Sequence, residues 1–211
     1  MSILEYLTVL VSIVVGLGIT DLAESVRYLI HPDQSVRWHW LPLTWSISAL
    51  LMVVACWWGF FDFLQAEVWR SPVAFLIVLF TALSLYFLCA FALPDLDWKE
   101  DALSFPPEGA AHIDLKAFYF STAHRRLFFG TAIAFILLFT TVAHVQHSAG
   151  QGAPVGWTAW AIVRTSFPFV ATYGVLMITE RRWVHAILTV VGLILAVSLL
   201  FALTPMLTQE G

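Results

Sequence analysis

The chain has 211 residues, of which 60% are hydrophobic and only 11% charged, and its mean hydropathy is +0.85. A soluble domain carries about 25% charged residues, so this composition excludes a water-soluble globule, a disordered chain and a nucleic-acid binder. A net charge of −4 gives no polybasic surface, and what remains is a polytopic membrane protein.

A spanning helix needs about 20 mostly apolar residues. Six stretches qualify: 3–21 (with the helix free to run on to Ile30), 38–61, 72–93, 127–147, 157–179 and 183–203. Alternation of period two is absent, and backbone groups in lipid must pair within the segment, so the spans are helices. The expected fold is an all-α bundle of six transmembrane helices in a single integral membrane domain. Breakers mark the ends: His31-Pro32 after the first span, Ser71-Pro72 before the third, Leu93-Pro94 after it, and the glycines and proline of 150–154 between the fourth and fifth. Glu180-Arg181-Arg182 interrupts the last two spans. Glu5 stands where a signal peptide needs basic residues, so the first span is expected to stay in the mature protein.

Eight of the ten Lys and Arg lie in the first, third and fifth connections; Arg70 lies on the other side and Arg164 within a span. This asymmetry predicts that the 94–126 connection is cytoplasmic and both termini are periplasmic. Trp38, Trp40 and Trp183 then fall at the inner boundary, and Trp57, Trp58, Trp69, Trp157 and Trp160 at the outer one. Within the connection, Asp114 is a good N-cap. Leu115, Phe118 and Phe120 after it predict an interfacial helix leading into the fourth span.

Arg164 is the sharpest single residue, because an Arg inside a span is costly unless paired or snorkelling. Asp62, ending the second span on the same side, is the first candidate partner, with Glu5 and Glu67 next. The pair reads as a structural clamp or, alternatively, as an anion contact in an outward-facing cavity. At the inner end Asp21, Glu24 and Arg27 share a helix face and are expected to meet Arg125, Arg126, Arg181 or Arg182 in an electrostatic clasp. His144 and His147, three apart, are weak candidates for a metal site. Cys56 and Cys89 stand at opposite depths, which excludes a disulfide between them. Ser12, Gly16 and Thr20 recur every four residues and form a small-residue packing face, within the bundle or toward another chain. The middle of the spans offers only hydroxyls such as Ser12, Ser46, Ser84 and Thr131.

Gly16-Leu17-Gly18, Leu93-Pro94-Asp95 and Arg125-Arg126-Leu127-Phe128-Phe129 resemble segments of a set of uncharacterised bacterial six-span inner-membrane proteins. The resemblance implies a bacterial inner membrane and no activity or catalytic residue. The expected function is a non-enzymatic scaffold or accessory subunit without a cofactor, whose partners are the lipid bilayer and another membrane protein or a second copy. The alternatives are a small transporter or channel for a hydrophobic or anionic solute using Arg164, and a metal or redox protein using His144 and His147.

Overall fold

The computed structural model describes residues 3–32, 35–63, 71–94, 112–151 and 155–203. The 95–111 part of the connection, Glu67, and the side chains of Asp62 and His147 lie outside the described residues.

The chain forms α1 (Ile3–Leu29), β1 (Ser35–Arg37), α2 (Trp40–Phe63), α3 (Pro72–Ala90), β2 (His112–Asp114), α4 (Leu115–Phe120), α5 (Thr122–Gln151), α6 (Val155–Ile178) and α7 (Arg182–Leu203). All the helices except α4 are long and apolar enough to cross a membrane, which makes six spans. Local chemistry sets several ends. The Ser71 hydroxyl accepts from the Ala74 amide at 3.1 Å, and Pro72 occupies the first position of α3, where its missing N–H costs nothing. The Asp114 carboxylate caps α4 by accepting from the Lys116 and Ala117 amides at 2.8 and 3.1 Å.

The first helix runs on to Leu29, as the sequence allowed, and one boundary differs from the expected ones. The fourth spanning helix starts at Thr122 rather than 127, which carries Arg125 and Arg126 into its first turns. The Asp114-capped helix forms as α4, with one face turned into the protein. Leu115, Phe118 and Tyr119 are buried, so α4 is a plug sunk into one mouth of the bundle. Two strands accompany the all-α fold. β1 and β2 pair in parallel with Val36 opposite Ile113, and Arg37 reaches Asp114 at 3.4 Å across the pair. This pairing fastens the α1–α2 link to the entry of α4.

Around the bundle the neighbours run α1, α3, α5, α6, α7, α2 and back to α1. Helix α2 also touches α3, α4 and α5, so its inner face reaches further into the bundle, while Ile47, Leu50, Val54 and Trp58 stay exposed on its outer face. Its Trp45 is the hub of the core, edge-on to Phe129 at 5.2 Å, Tyr173 at 5.6 Å and Phe128 at 5.8 Å between ring centroids. Edge-to-face contacts at these distances use the ring quadrupoles and fill space with rigid groups. Outward faces such as Val9, Ile13 and Leu17 of α1, and Ile187, Val190 and Ile194 of α7, are apolar and exposed, as lipid contact requires.

Close helix approach depends on glycines other than those of the expected stripe. Gly16 and Thr20 are exposed, and nothing stands within 4 Å of where a Gly16 Cβ would be. Helix α1 meets α3 at Gly18 instead, whose Cβ position lies 3.3 Å from the Tyr86 backbone. The tightest approach is at Gly192, where a Cβ would lie 2.5 Å from the Trp45 indole. Gly192→Ala is therefore expected to lower the melting temperature in detergent, at a cost of about 1–3 kcal/mol from overpacking. Gly16→Ala should cost nothing, since Ala gains up to about 1 kcal/mol over Gly in a helix. A comparable loss at Gly16 would instead place that stripe against a second chain.

Candidate functional site

The polar chemistry of the described residues concentrates at the end of the bundle that carries β1, β2 and α4. Hydroxyls elsewhere in the spans are mostly consumed by their own helices. Ser12 donates to the Thr8 carbonyl, Ser46 to Leu43, Ser84 to Thr81 and Thr140 to Ile136, at 2.6 to 2.8 Å. This local bonding satisfies each hydroxyl without a partner helix.

Trp45 is different. Its indole N–H lies about 7 Å along α2 from Trp40, too deep for the water at the surface. It donates to the Tyr119 hydroxyl and the Thr189 hydroxyl, both at 3.1 Å. The Tyr119 hydroxyl stands 2.9 Å from Nδ1 of His185, and Nε2 of the same ring stands 3.0 Å from the Thr179 carbonyl. A carbonyl only accepts, so Nε2 carries the proton and Nδ1 accepts from Tyr119. The chain of donors therefore runs in one direction, from Trp45 through Tyr119 and His185 to Thr179.

Thr179 follows the last residue of α6, where carbonyls lack helical partners. Nη1 of Arg125 donates to the same carbonyl, and Nη2 donates to a Glu180 carboxylate oxygen at 2.9 Å. A cation at a helix C-terminus also opposes the negative end of the macrodipole. The side chain of Arg125 is 3% exposed and that of Glu180 is 79% exposed, so a buried charge is balanced by one that reaches solvent. Nε of Arg125 and the Tyr173 hydroxyl are buried without a hydrogen-bond partner among the described residues.

Tyr119 is held out of acid–base chemistry near neutrality. Burial pushes its phenol up to about 12, against smaller opposing effects of Thr189, Trp45 and Arg125. His39, just ahead of α2, is held below its ordinary value, first by burial and then by Lys116, with Arg182 adding to the effect and Asp114 opposing it. The network joins five elements: α2, α4 and α5 contribute one member each, and the α6–α7 turn and α7 two each.

The expected inner clasp takes another form. Of its seven residues only Arg125 is buried, and it turns to Thr179 and Glu180. Glu24, Arg27, Arg126, Arg181 and Arg182 are exposed. Asp21 is half-buried on the wall of a cavity of about 280 Å³ with Tyr86, Phe118 and His124. His124 itself is packed on Phe118, with ring centroids 4.1 Å apart. At the far end Arg164 is exposed, its guanidinium 5.3 Å from the centroid of the Trp160 ring. Its expected partner Asp62 falls outside the described side chains. His144 bonds to the Thr165 hydroxyl at 3.0 Å, and the described residues hold no group of three His, Cys, Asp or Glu able to bind a metal ion. Cys56 and Cys89 are buried free thiols.

Trp45, Tyr119, Thr189 and His185 were not assembled from the sequence. They belong to separate elements, and no spacing links them. One signal was available: Trp45 lies more than a turn deeper than the belt residue Trp40, where an indole N–H has no water. No family model, curated protein or solved structure matches this chain.

Tyr119→Phe keeps the ring and removes the hydroxyl, leaving Nδ1 of His185 without a donor. The expected loss is about 1–3 kcal/mol, seen as a lower melting temperature. The folded phenol's value lies above its ordinary 10, so the unfolded chain loses the proton first as pH rises. The stabilisation is full below pH 10 and disappears toward about 12. The gap between native and variant melting temperatures should close across that window.

Proposed function

We propose that the chain is a non-enzymatic integral membrane protein, a scaffold or accessory subunit of a bacterial inner membrane. In this reading the segments before α1 and after α7 are periplasmic, and the end with β1, β2 and α4 faces the cytoplasm. The observation that supports it is the way the bundle is filled. Trp45, Phe128, Phe129, Phe135 and Tyr173 are fully or almost fully buried in its interior, and the polar network above them is spent on joining helices. A transport path needs polar groups free to exchange partners along the span. Here Ser12, Ser46, Ser84 and Thr140 are bound to their own turns. Arg164, the residue a solute pathway would use, lies exposed against Trp160.

Three measurements test this. Reporter fusions after Glu210 should read periplasmic and fusions near Glu108 cytoplasmic; a cytoplasmic C-terminal reporter would overturn the orientation. Purified protein in liposomes should show no solute flux that depends on Arg164. After crosslinking in the membrane, it should be recovered with one membrane protein, or a second copy, at fixed stoichiometry. Uptake by the native chain that Arg164→Ala abolishes would replace the scaffold reading with a transporter.

A further inference from the structure

An open cavity of about 410 Å³ lies at the end of the bundle that carries α4. Arg37 of β1, Lys116 of α4 and Arg182 at the start of α7 stand around it, together with Asp114, Glu180 and Phe120. Three cations and two carboxylates suggest near balance, but the carboxylates are already engaged. Asp114 caps α4 through the Lys116 and Ala117 amides and pairs with Arg37 at 3.4 Å. Glu180 accepts from Arg125, a fourth cation, behind the cavity wall. Among the described residues no carboxylate makes an ion pair with Lys116 or Arg182. The cavity therefore has an excess of positive charge from two side chains on different elements. The first turn of α7 adds the positive end of a helix dipole on the Arg182 side.

Depth selects the ligand further. Trp38, Trp40 and Trp183 are exposed, and Trp38 and Trp183 adjoin Arg37 and Arg182 in sequence. Exposed Trp residues at the ends of spans mark the headgroup level of a bilayer. By that marker the cavity opens near the level of lipid phosphates. An ammonium and a guanidinium converging on one space are the usual recognition pair for phosphate oxygens. A divalent cation or a basic peptide would meet the same charge as a barrier.

We infer that this cavity is a binding site for a phosphate-bearing anion, held by Lys116 and Arg182 with Arg37 at its rim. The shared chemistry is a phosphate monoanion or diester, from the headgroup of an anionic phospholipid or from a soluble phosphate compound. The inference needs only the six-span fold and holds whether the protein is a scaffold or a transporter.

The test is a thermal melt of purified, delipidated full-length protein in nonionic detergent. Added components are phosphatidylglycerol, phosphatidylcholine, or inorganic phosphate against chloride at equal ionic strength. Lys116 is half-buried and Arg182 exposed, so Lys116→Gln with Arg182→Gln should leave the fold intact, and Lys116→Arg retains the charge. Arg126→Gln, on an exposed cation away from the cavity, controls for net charge. Phosphatidylglycerol is expected to raise the native melting temperature by several degrees, as saturating a single site does, and phosphatidylcholine is not. The double variant should lose the rise, while Lys116→Arg and Arg126→Gln keep it. A rise with inorganic phosphate but not lipid, lost in the double variant, supports the same site with a soluble ligand. The site is excluded if neither component shifts the native protein, if the double variant keeps the shift, or if Arg126→Gln loses it equally. Native mass spectrometry, counting phosphatidylglycerol retained per chain, gives the same decision should the double variant fold poorly: Lys116→Arg must then retain the native count, and a loss with that charge-preserving change would overturn the inference.

Discussion

An indole N–H buried in an apolar bundle must find an acceptor, because leaving it unpaired costs several kcal/mol where no water reaches. Trp45 satisfies this requirement with two hydroxyls from outside its own helix, Tyr119 and Thr189. Much of the structure at that end follows. Tyr119 reaches the indole only if α4 folds inward, so the short helix becomes a plug. Thr189 reaches it only if α7 comes close, so Gly192 must lack a side chain where the indole lies. The Tyr119 hydroxyl then needs an acceptor for its own proton and finds His185, which in turn needs the Thr179 carbonyl. Arg125 docks on that same carbonyl. One buried donor thereby ties together five elements that are far apart in the chain.

The two ends of the bundle differ in consequence. The end with α4 is cross-linked by directed hydrogen bonds and by the β1–β2 pairing, and its rim is charged. The middle is packed with rings and aliphatic groups that specify contact but little direction. Directed bonds in a low-dielectric interior hold one geometry more firmly than apolar packing of the same size, since their misalignment is costly. A membrane protein built this way presents a fixed, charged platform at one bilayer surface and interchangeable apolar flanks to the lipid.

Legibility followed the same division. The spans were readable because length and apolarity alone decide them: the six stretches correspond to α1, α2, α3, α5, α6 and α7 within a few residues. Pro72, Asp114 and the Glu180-Arg181-Arg182 break were readable because capping and breaking act within a few residues. The inner clasp was only half readable. Arg125 was expected among the possible partners of Asp21, Glu24 and Arg27 ahead of a span starting at 127, whereas it lies in the first turn of α5 and bonds to Thr179 and Glu180. The face of α1 that meets α3 was not readable, because Gly16 and Gly18 are equivalent in the sequence and differ only in which one faces α3.

By itself, then, the sequence determined the solvent, the number of crossings and the end that carries the charge. These depend on sums over local windows, and a window of twenty apolar residues has one stable solution in lipid. Only the tertiary structure decided which face of each span turns inward, which glycine admits a neighbour, and that Trp45, Tyr119, His185 and Arg125 belong to one network. Lipid and protein interior are equally apolar, so periodicity carries little information about the inward face. The network's members are joined across as many as 144 positions, between Trp45 and Thr189. A pairing at that separation is set by how helices pack, and leaves no local mark in the chain.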